Sequence, residues 1–352
     1  MANASFDAVQ SRNSTLMSNV LEHPGDYRIL TGERPTGRLH VGHYFGTLQN
    51  RVRLQAAGVD TFLVVADYQV LTDRDATESI RDNVFGFLAD YIAVGIDPGQ
   101  TTIFAHSYIA SLNQLLLPFL ALTTVAELER NPTVKEEIRS AQRGHVSAMM
   151  FTYPAHQAAD ILFCKGNLVP GGKDQLPHIE LARTVARRFN ERYAGGETYF
   201  REPELLLSDA PLLLGVDGRK MGKSLNNAIA IGASEAETTA LLRKAKTDSI
   251  PEIYYDPEDR PEIANLLLLG ALCLDETPEE FASRIGTGSG RLKSELADVV
   301  NERFRAIRAR RAEVADDRAY LGTLLREGNE KAKDIGDRTL SEVRSLMQMT
   351  YY

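Results

Sequence analysis

Thr61-Phe62-Leu63-Val64-Val65-Ala66 is an unbroken apolar run rich in β-branched side chains. A strand with one face in water would alternate apolar and polar residues. This run does not, so it predicts a strand buried on both faces, inside a parallel sheet covered by helices. The neighbouring sequence fits. Tyr27-Arg28-Ile29-Leu30-Thr31 and Thr101-Thr102-Ile103-Phe104 read as further strands. Helices are predicted from about His43 to Ala57, stopped by Gly58, and from Thr77 to Gly95, with Thr77 as cap. Two more are predicted over 112–128 and 174–193. Strands alternating with helices indicate an α/β fold.

Beyond about residue 225 the character changes. The segments 233–246, 261–273, 278–285, 289–314 and 317–348 all carry helical patterning, and no strand is predicted among them. The expected organisation is a polar, partly disordered lead-in over 1–24 and an α/β domain over 25–225. An all-helical domain follows over 226–316, then a C-terminal helix over 317–352 that packs back on the α/β domain. The 352 residues suffice for such a two-domain core. No apolar run reaches the roughly 18 residues that a membrane span needs, and no basic-then-apolar leader opens the chain. Cys164 and Cys273 sit in apolar company and suggest buried thiols, not a disulfide framework or metal cluster. No metal site is expected, and the expected compartment is the cytoplasm. The net charge of −8 means that a nucleic-acid partner must meet a local basic face.

Two short motifs carry the chemistry. His40-Val41-Gly42-His43 follows a strand and a Gly/Pro-rich turn, at the start of a helix. Free backbone N–H groups and partial positive charge there suit phosphate. Gly42 lets a nucleotide approach the backbone, and imidazoles at i and i+3 share a face. Taken alone, a helix cap explains the pair equally well. The second motif is the basic, Gly-interrupted loop Asp217-Gly218-Arg219-Lys220-Met221-Gly222-Lys223-Ser224. Its lysines can bracket a triphosphate as mobile point charges, although a solvated surface loop is the better account when the motif is taken alone. Both motifs in this order, about 180 residues apart, make coincidence a poor account.

Together the motifs resemble the two signatures of class I aminoacyl-tRNA synthetases, with Gly222 in place of the second signature's usual Ser. Further stretches resemble the tryptophanyl-tRNA synthetases in particular. These are Thr31 to Gly37, Gly95-Ile96-Asp97-Pro98, Thr152-Tyr153-Pro154 with Gln157 to Leu162, Val169 to Gln175 with His178-Ile179-Glu180-Leu181, and Thr247-Asp248-Ser249. The likeness runs from about residue 28 to the C-terminus. It implies a Rossmann-like catalytic domain, a helical tRNA-binding domain and a homodimer, with ATP, Mg²⁺, L-tryptophan and tRNA(Trp) as cofactors and partners. It implies catalytic roles for His40, His43, Lys220 and Lys223. It implies nucleotide contacts from Gly32, Arg34, Pro35, Thr36, Gly42, His43, Gly172, Lys173, Asp174, Leu212, Lys220, Met221, Gly222, Lys223 and Ser224. For tryptophan it implies Asp160, Gln157, Tyr153, Gln69, Gln175 and Leu30. Asp160 fits that role physically, since an acid on an apolar face needs a partner, and the indole N–H supplies one. The competing account is an interfacial acid paired with an arginine.

Arg34, Gln69 and Lys173 depart from the family's usual Gln, His and Glu. They leave the reaction class alone and open the side-chain preference. The sequence has no tryptophan, which would ease synthesis of such an enzyme when tryptophan is scarce. The expected first step is attack of the amino-acid carboxylate on the α-phosphate of ATP, needing position and charge stabilisation but no protein nucleophile. Arg303, Arg305, Arg308, Arg310 and Arg311 form the densest basic cluster. Phosphate contact by it and a solvated face paired with Glu302 and Glu313 are equally good accounts. The mixed apolar and charged helix over 112–143 could supply a dimer interface. Other readings stay open: a tyrosyl-tRNA synthetase, a small nucleotidyltransferase, a catalytically silent tRNA-binding or regulatory paralogue, and an auxiliary synthetase for a tryptophan analogue or for inhibitor resistance.

Overall fold

The computed structural model describes residues 2–72, 79–140, 147–207, 212–222 and 225–351, with side chains for all of these except 2–11, 136–138 and 140. In chain order the elements are α1 (Ala2–Glu22), β1 (Arg28–Glu33), α2 (Val41–His43), α3 (Gln49–Ala56), β2 (Asp60–Val65), α4 (Ile80–Val94), β3 (Thr101–Ala105), α5 (Ala110–Leu120), α6 (Val125–Arg130), α7 (Pro132–Ser140) and α8 (Ala148–Leu162). They continue with β4 (Leu168–Gly171), α9 (Leu176–Tyr193), β5 (Glu204–Leu207), α10 (Glu235–Arg243), α11 (Pro261–Leu274), α12 (Pro278–Ile285), α13 (Ser289–Val314) and α14 (Arg318–Leu346).

The five strands form one parallel sheet in the order β3-β2-β1-β4-β5. The run that begins at Thr61 is a middle strand, as its composition requires. Its side chains alternate between two apolar layers. Leu63 and Val65 pack with Phe87, Leu88 and Tyr91 of α4, whereas Phe62 and Val64 pack with residues of α5, α8 and α9. The helical C-terminal part joins the first layer: Leu267, Leu296, Phe304 and Ile307 belong to the same core as Leu63. Helix α14 lies along the edge strand β3. A Cβ at Gly328 would stand 1.8 Å from the Ile103 carbonyl oxygen, so the backbones meet there without a side chain between them. The next residue, Asn329, accepts a hydrogen bond from Ala105 N at 2.8 Å.

Several expectations need correction. Residues 1–24 were expected as a polar lead-in, but Ala2–Glu22 is helical. Leu16, Met17 and Val20 form a stripe at helical spacing, buried against Ile29, Leu54, Leu168 and Leu206. The predicted helix over 112–128 is interrupted. Thr124 and Glu127 make a capping box that begins α6, and Asn131 accepts from Thr133 N to begin α7. Strands β4 and β5 have four residues each, and β4 contains Pro170. Neither is long enough to show a period in sequence. The helix predicted from His43 starts at Val41 and widens into a π-type turn over Tyr44–Leu48 before α3. In the helix predicted from Thr77, α4 begins at Ile80 and ends as expected at Gly95 (φ 105°), while Thr77 lies outside the described residues. Residues 173–175 form a 3-10 turn ahead of α9.

Candidate active site

The chain leaves β1 for β2 and β3, then returns to β4 on the other side of β1. The carboxyl ends of β1 and β4 therefore border the crevice where ligands of open α/β sheets bind. Gly32, Arg34, Pro35 and Thr36 lie at or after the end of β1, and Gly172, Lys173 and Asp174 follow β4. Gly32 has an internal reason to be glycine: a Cβ would stand 1.9 Å from Val64 O of the neighbouring strand.

The two signature segments meet in space. His40 forms an antiparallel bridge with Ala230, Val41 N donates to Ile229 O and Ile231 N to Leu39 O, both at 2.9 Å. The His40 and His43 rings lie 3.7 Å apart, and His40 N donates to His43 Nδ1. A Cβ on Gly42 would stand 3.1 Å from the His40 ring and 3.2 Å from Met221 Sδ. Gly42 thus seats the second segment on the first. That segment turns back on itself through a Leu214–Lys220 bridge and Gly218 (φ 80°). Buried Asn227 organises it, accepting from Gly222 N and donating to Asp217 and Lys220 O. Lys220 is exposed, and Met221 and Gly222 are half-buried. Leu212 is 69% exposed, two residues before the bridge. Lys223 and Ser224 lie outside the described residues.

Behind His43 is a buried charged cluster that the sequence did not reveal. Arg51 of α3 contacts Glu33 Oε1 at 2.6 Å and donates to Thr31 Oγ1 at 2.7 Å, and Tyr91 OH donates to Glu33. Burial pushes the Glu33 carboxyl up, but Arg51, His43 and the Tyr91 hydroxyl together hold it down at about 2.

Tyr153, Gln157 and Asp160 share one face of α8, at i, i+4 and i+7. Tyr153 OH lies 3.4 Å from His178 Nε2, and Gln157 donates to Gln175. Burial pushes His178 down to about 4. Asp160 is buried, and its partner is neither an arginine nor solvent: His106 Nε2 is 2.5 Å from Oδ1. His106 stacks on His156 at 4.2 Å. His156 is held by Gln69 Nε2 at Nδ1 and by Asn113 Oδ1 at Nε2. Leu30 is buried in the apolar layer with Phe62 and Ala159, so it supports the floor of this region. Sequence reading missed His106, His156 and Asn113. His106 had a usable signal, since it directly follows a parallel strand, where such sheets place their ligand residues.

His106, His156 and Asp160 come within metal-ligand distance of one another. Both nitrogens of His156 and Nε2 of His106 are already in hydrogen bonds, His156 to Gln69 and Asn113 and His106 to Asp160, and the two rings are joined by stacking. The arginine cluster serves the fold. Arg308 donates to Asn301 and Thr238, Arg310 to Ala93 O, and Arg311 pairs with buried Asp90 at 2.6 Å. Arg303 faces Asp275, and Arg305 is exposed and paired with Glu302. Thr247-Asp248-Ser249 is likewise structural, because Asp248 holds the buried Arg260 guanidinium through two 2.8 Å bonds. Cys164 and Cys273 are buried free thiols, pushed up to about 12 by burial.

Residues 23–305 match the family described as tRNA synthetases class I (W and Y). The chain is 40% identical over 334 residues to a tryptophan–tRNA ligase of Clostridium longisporum, covering 92% of this chain and 97% of that one. It is 39% identical over 347 residues to the tryptophan–tRNA ligase of Streptococcus pyogenes, covering 92% and 98%. Among solved structures it resembles tryptophanyl-tRNA synthetase from Campylobacter jejuni complexed with ADP and tryptophan. There the TM-score is 0.78 and the identity 29%, over 91% of this chain and 99% of that one. The Mycoplasma pneumoniae tryptophanyl-tRNA synthetase shares the fold, with a TM-score of 0.82 and 24% identity over 92% and 98%.

Proposed function

The chain belongs to the class I tRNA synthetases of the tryptophan and tyrosine group, and from that premise we propose that it activates L-tryptophan with ATP and ligates it to its tRNA. The observation that carries this reading is the meeting of two segments about 180 residues apart, with Met221 seated on Gly42 and residues 229–231 paired with Leu39 to Val41. The ADP and tryptophan in the C. jejuni neighbour support an adenine nucleotide and tryptophan as the ligands, and the buried Asp160 on α8 supports that face as the amino-acid site. The tryptophan carboxylate attacks the α-phosphate of ATP and pyrophosphate leaves; a hydroxyl at the tRNA 3′ end then attacks the carbonyl of the adenylate, taking the tryptophanyl group and releasing AMP. His40, His43, Lys220 and Lys223 stabilise charge moving toward pyrophosphate. Gly32, Arg34, Pro35, Thr36, Gly42, Gly172, Lys173, Asp174, Leu212, Met221, Gly222 and Ser224 flank the nucleotide. Tyr153, Gln157, Gln69 and Gln175 surround the indole, and Asp160 accepts its N–H. Mg²⁺ enters with the ATP phosphates. The His106, His156 and Asp160 trio, nitrogen-rich and already hydrogen-bonded, suits an oxygen-seeking ion poorly.

The helical C-terminal part reads the tRNA. We place the enzyme in the cytoplasm, where its tRNA is used; among the described residues no helix is long and apolar enough to cross a membrane. We also propose a homodimer, supported by the exposed apolar side chains of Tyr108, Leu117 and Val125 around α5 and α6. Sedimentation equilibrium should give twice the chain mass, and Leu117→Asp should shift it toward monomer.

The direct test is ATP–pyrophosphate exchange across all amino acids. Tryptophan should support exchange and tyrosine should not; exchange with tyrosine alone would overturn the reading. Lys220→Ala should lower kcat by roughly 10²–10³, as for loss of one preorganised charge-stabilising donor, with little change in the tryptophan KM. Equal loss in both would reassign Lys220 to amino-acid binding.

A further inference from the structure

His106 is fully buried; its ring Nδ1 has no hydrogen-bond partner among the described residues, but its backbone and its Nε2 are held from several elements. Its preceding residue is held from α14, where Asn329 Oδ1 accepts from Ala105 N at 2.8 Å. Its own carbonyl accepts from Asn113 Nδ2 at 2.9 Å. Its following residue, Ser107, donates through N and Oγ to Asp67 at 2.9 and 2.5 Å. One face of the ring lies on His156, at 4.2 Å and 17°, and the Tyr68 ring is 6.0 Å away. His156 is itself constrained. Gln69 donates to Nδ1, so Nε2 carries the proton and donates to Asn113 Oδ1. That leaves His156 neutral. Asp160 and Asp67 are then the charges facing His106, from α8 and from the end of β2.

We propose that His106 is the positioning residue for tryptophan selection: its Nε2–H holds Asp160 Oδ1 at 2.5 Å, fixing the carboxylate so that Oδ2 meets the indole N–H. This rests on the assignment of Asp160 to the indole made above. A lone buried carboxylate would be costly to keep charged, and a rotating one would be a poor acceptor. His106 removes both problems before substrate arrives, so the ordering cost is met on folding. Titration is in keeping with the geometry. Burial pulls His106 down, but the charge and hydrogen bond of Asp160, with the charge of Asp67, hold it above the ordinary histidine value. His156 is pushed the other way by burial and by the His106 charge, against Asp160. The sign follows. The ion pair is complete below the ordinary histidine range and is lost as pH rises through the raised value. Tryptophan KM should therefore climb on the alkaline side.

The test is exchange kinetics on the wild type, His106→Ala and His106→Gln. The substrates are tryptophan and its benzothienyl analogue, which carries sulfur in place of N–H. His106→Ala should raise the tryptophan KM by about 10- to 100-fold, the range for hydrogen bonds to charged groups, and leave the KM for ATP and for the analogue near wild type. His106→Gln places an amide N–H near the same point, so it should restore most of the neutral-pH KM while abolishing the extra alkaline rise. A purely structural role predicts instead that both substrates suffer equally in His106→Ala. That result, or an unchanged tryptophan KM, overturns the proposal. So does a His106→Gln enzyme that keeps the wild-type pH profile. Absence of tryptophan-dependent exchange in the wild type would remove the functional reading and this inference with it. A wild type that prefers tryptophan over the analogue, beside a His106→Ala enzyme that keeps that preference, would remove the inference alone.

Discussion

Asp160→Ala is expected to lower kcat/KM for tryptophan by about 10²–10⁴-fold while the ATP KM stays close to wild type. The lower bound is loss of one hydrogen bond to a charged group. The upper bound approaches the roughly 10⁴–10⁵ by which a site built to hydrogen-bond a substrate N–H or O–H rejects an analogue without it. The substitution also leaves the His106 Nε2–H without its 2.5 Å acceptor in a closed environment. Asp160→Asn separates the two effects. It keeps the volume, but its single carbonyl oxygen can serve His106 or the indole, not both. It should therefore fall between wild type and Asp160→Ala for tryptophan, and the benzothienyl analogue should respond to neither change. Exchange kinetics with the two amino acids measure this directly. An Asp160→Ala enzyme that still prefers tryptophan over the analogue would mean that selectivity resides elsewhere on α8.

The second large effect is on stability. Arg51→Met should destabilise the protein by about 3–5 kcal/mol, the usual consequence of removing one partner of a buried ion pair. Arg51 is almost fully buried, contacts both oxygens of Glu33 and donates to Thr31, and Tyr91 donates to the same carboxylate. Without the guanidinium, Glu33 keeps the desolvation and loses its main compensation. The pH dependence gives the sign. Glu33 is held at about 2, below the ordinary carboxylate value of 4.5, so its contribution is present above about 4.5 and is lost as pH falls toward 2. In Arg51→Met the carboxyl titrates higher, because burial is then opposed only by His43 and the Tyr91 hydroxyl. The stability gap to wild type should be widest near neutrality and narrow through the acid range. Urea unfolding at a series of pH values checks this. A gap that stays constant with pH would assign the loss to packing of the arginine stem. Glu33→Gln in the Arg51→Met background should recover part of the loss, since it removes the orphaned charge.

Part of this molecule was legible before any coordinates. The run from Thr61 to Val65 could not tolerate a wet face, and it lies inside a parallel sheet. Gly95 stops α4 because a left-handed φ of 105° is open to glycine. The helices after residue 225 were readable because each is eight residues or longer, enough for its apolar period to repeat. Other features were hidden by length or by distance. Four-residue β4 and β5 show no period, and the start of α1 lies in a polar stretch whose apolar stripe becomes meaningful only against Ile29 and Leu168. The arginines of α13 look like a phosphate face in sequence, yet Arg310 and Arg311 reach back more than two hundred residues to Ala93 and Asp90.

The same division runs through the active site. The sequence by itself determined the reaction class, because phosphate chemistry requires particular residue types at short spacing, and His40 to His43 and Lys220 to Ser224 state that locally. It also singled out Asp160, because an acid on an apolar helix face demands an explanation. The partner of Asp160 was decided only by tertiary structure. His106 is 54 positions away, Gln69 is 87 from His156, and Asn329 is 224 from Ala105. A helix or strand period relates residues a few positions apart. The direction and charge of a buried carboxylate are set by whatever the folded sheet brings within about 3 Å, and no local pattern encodes that.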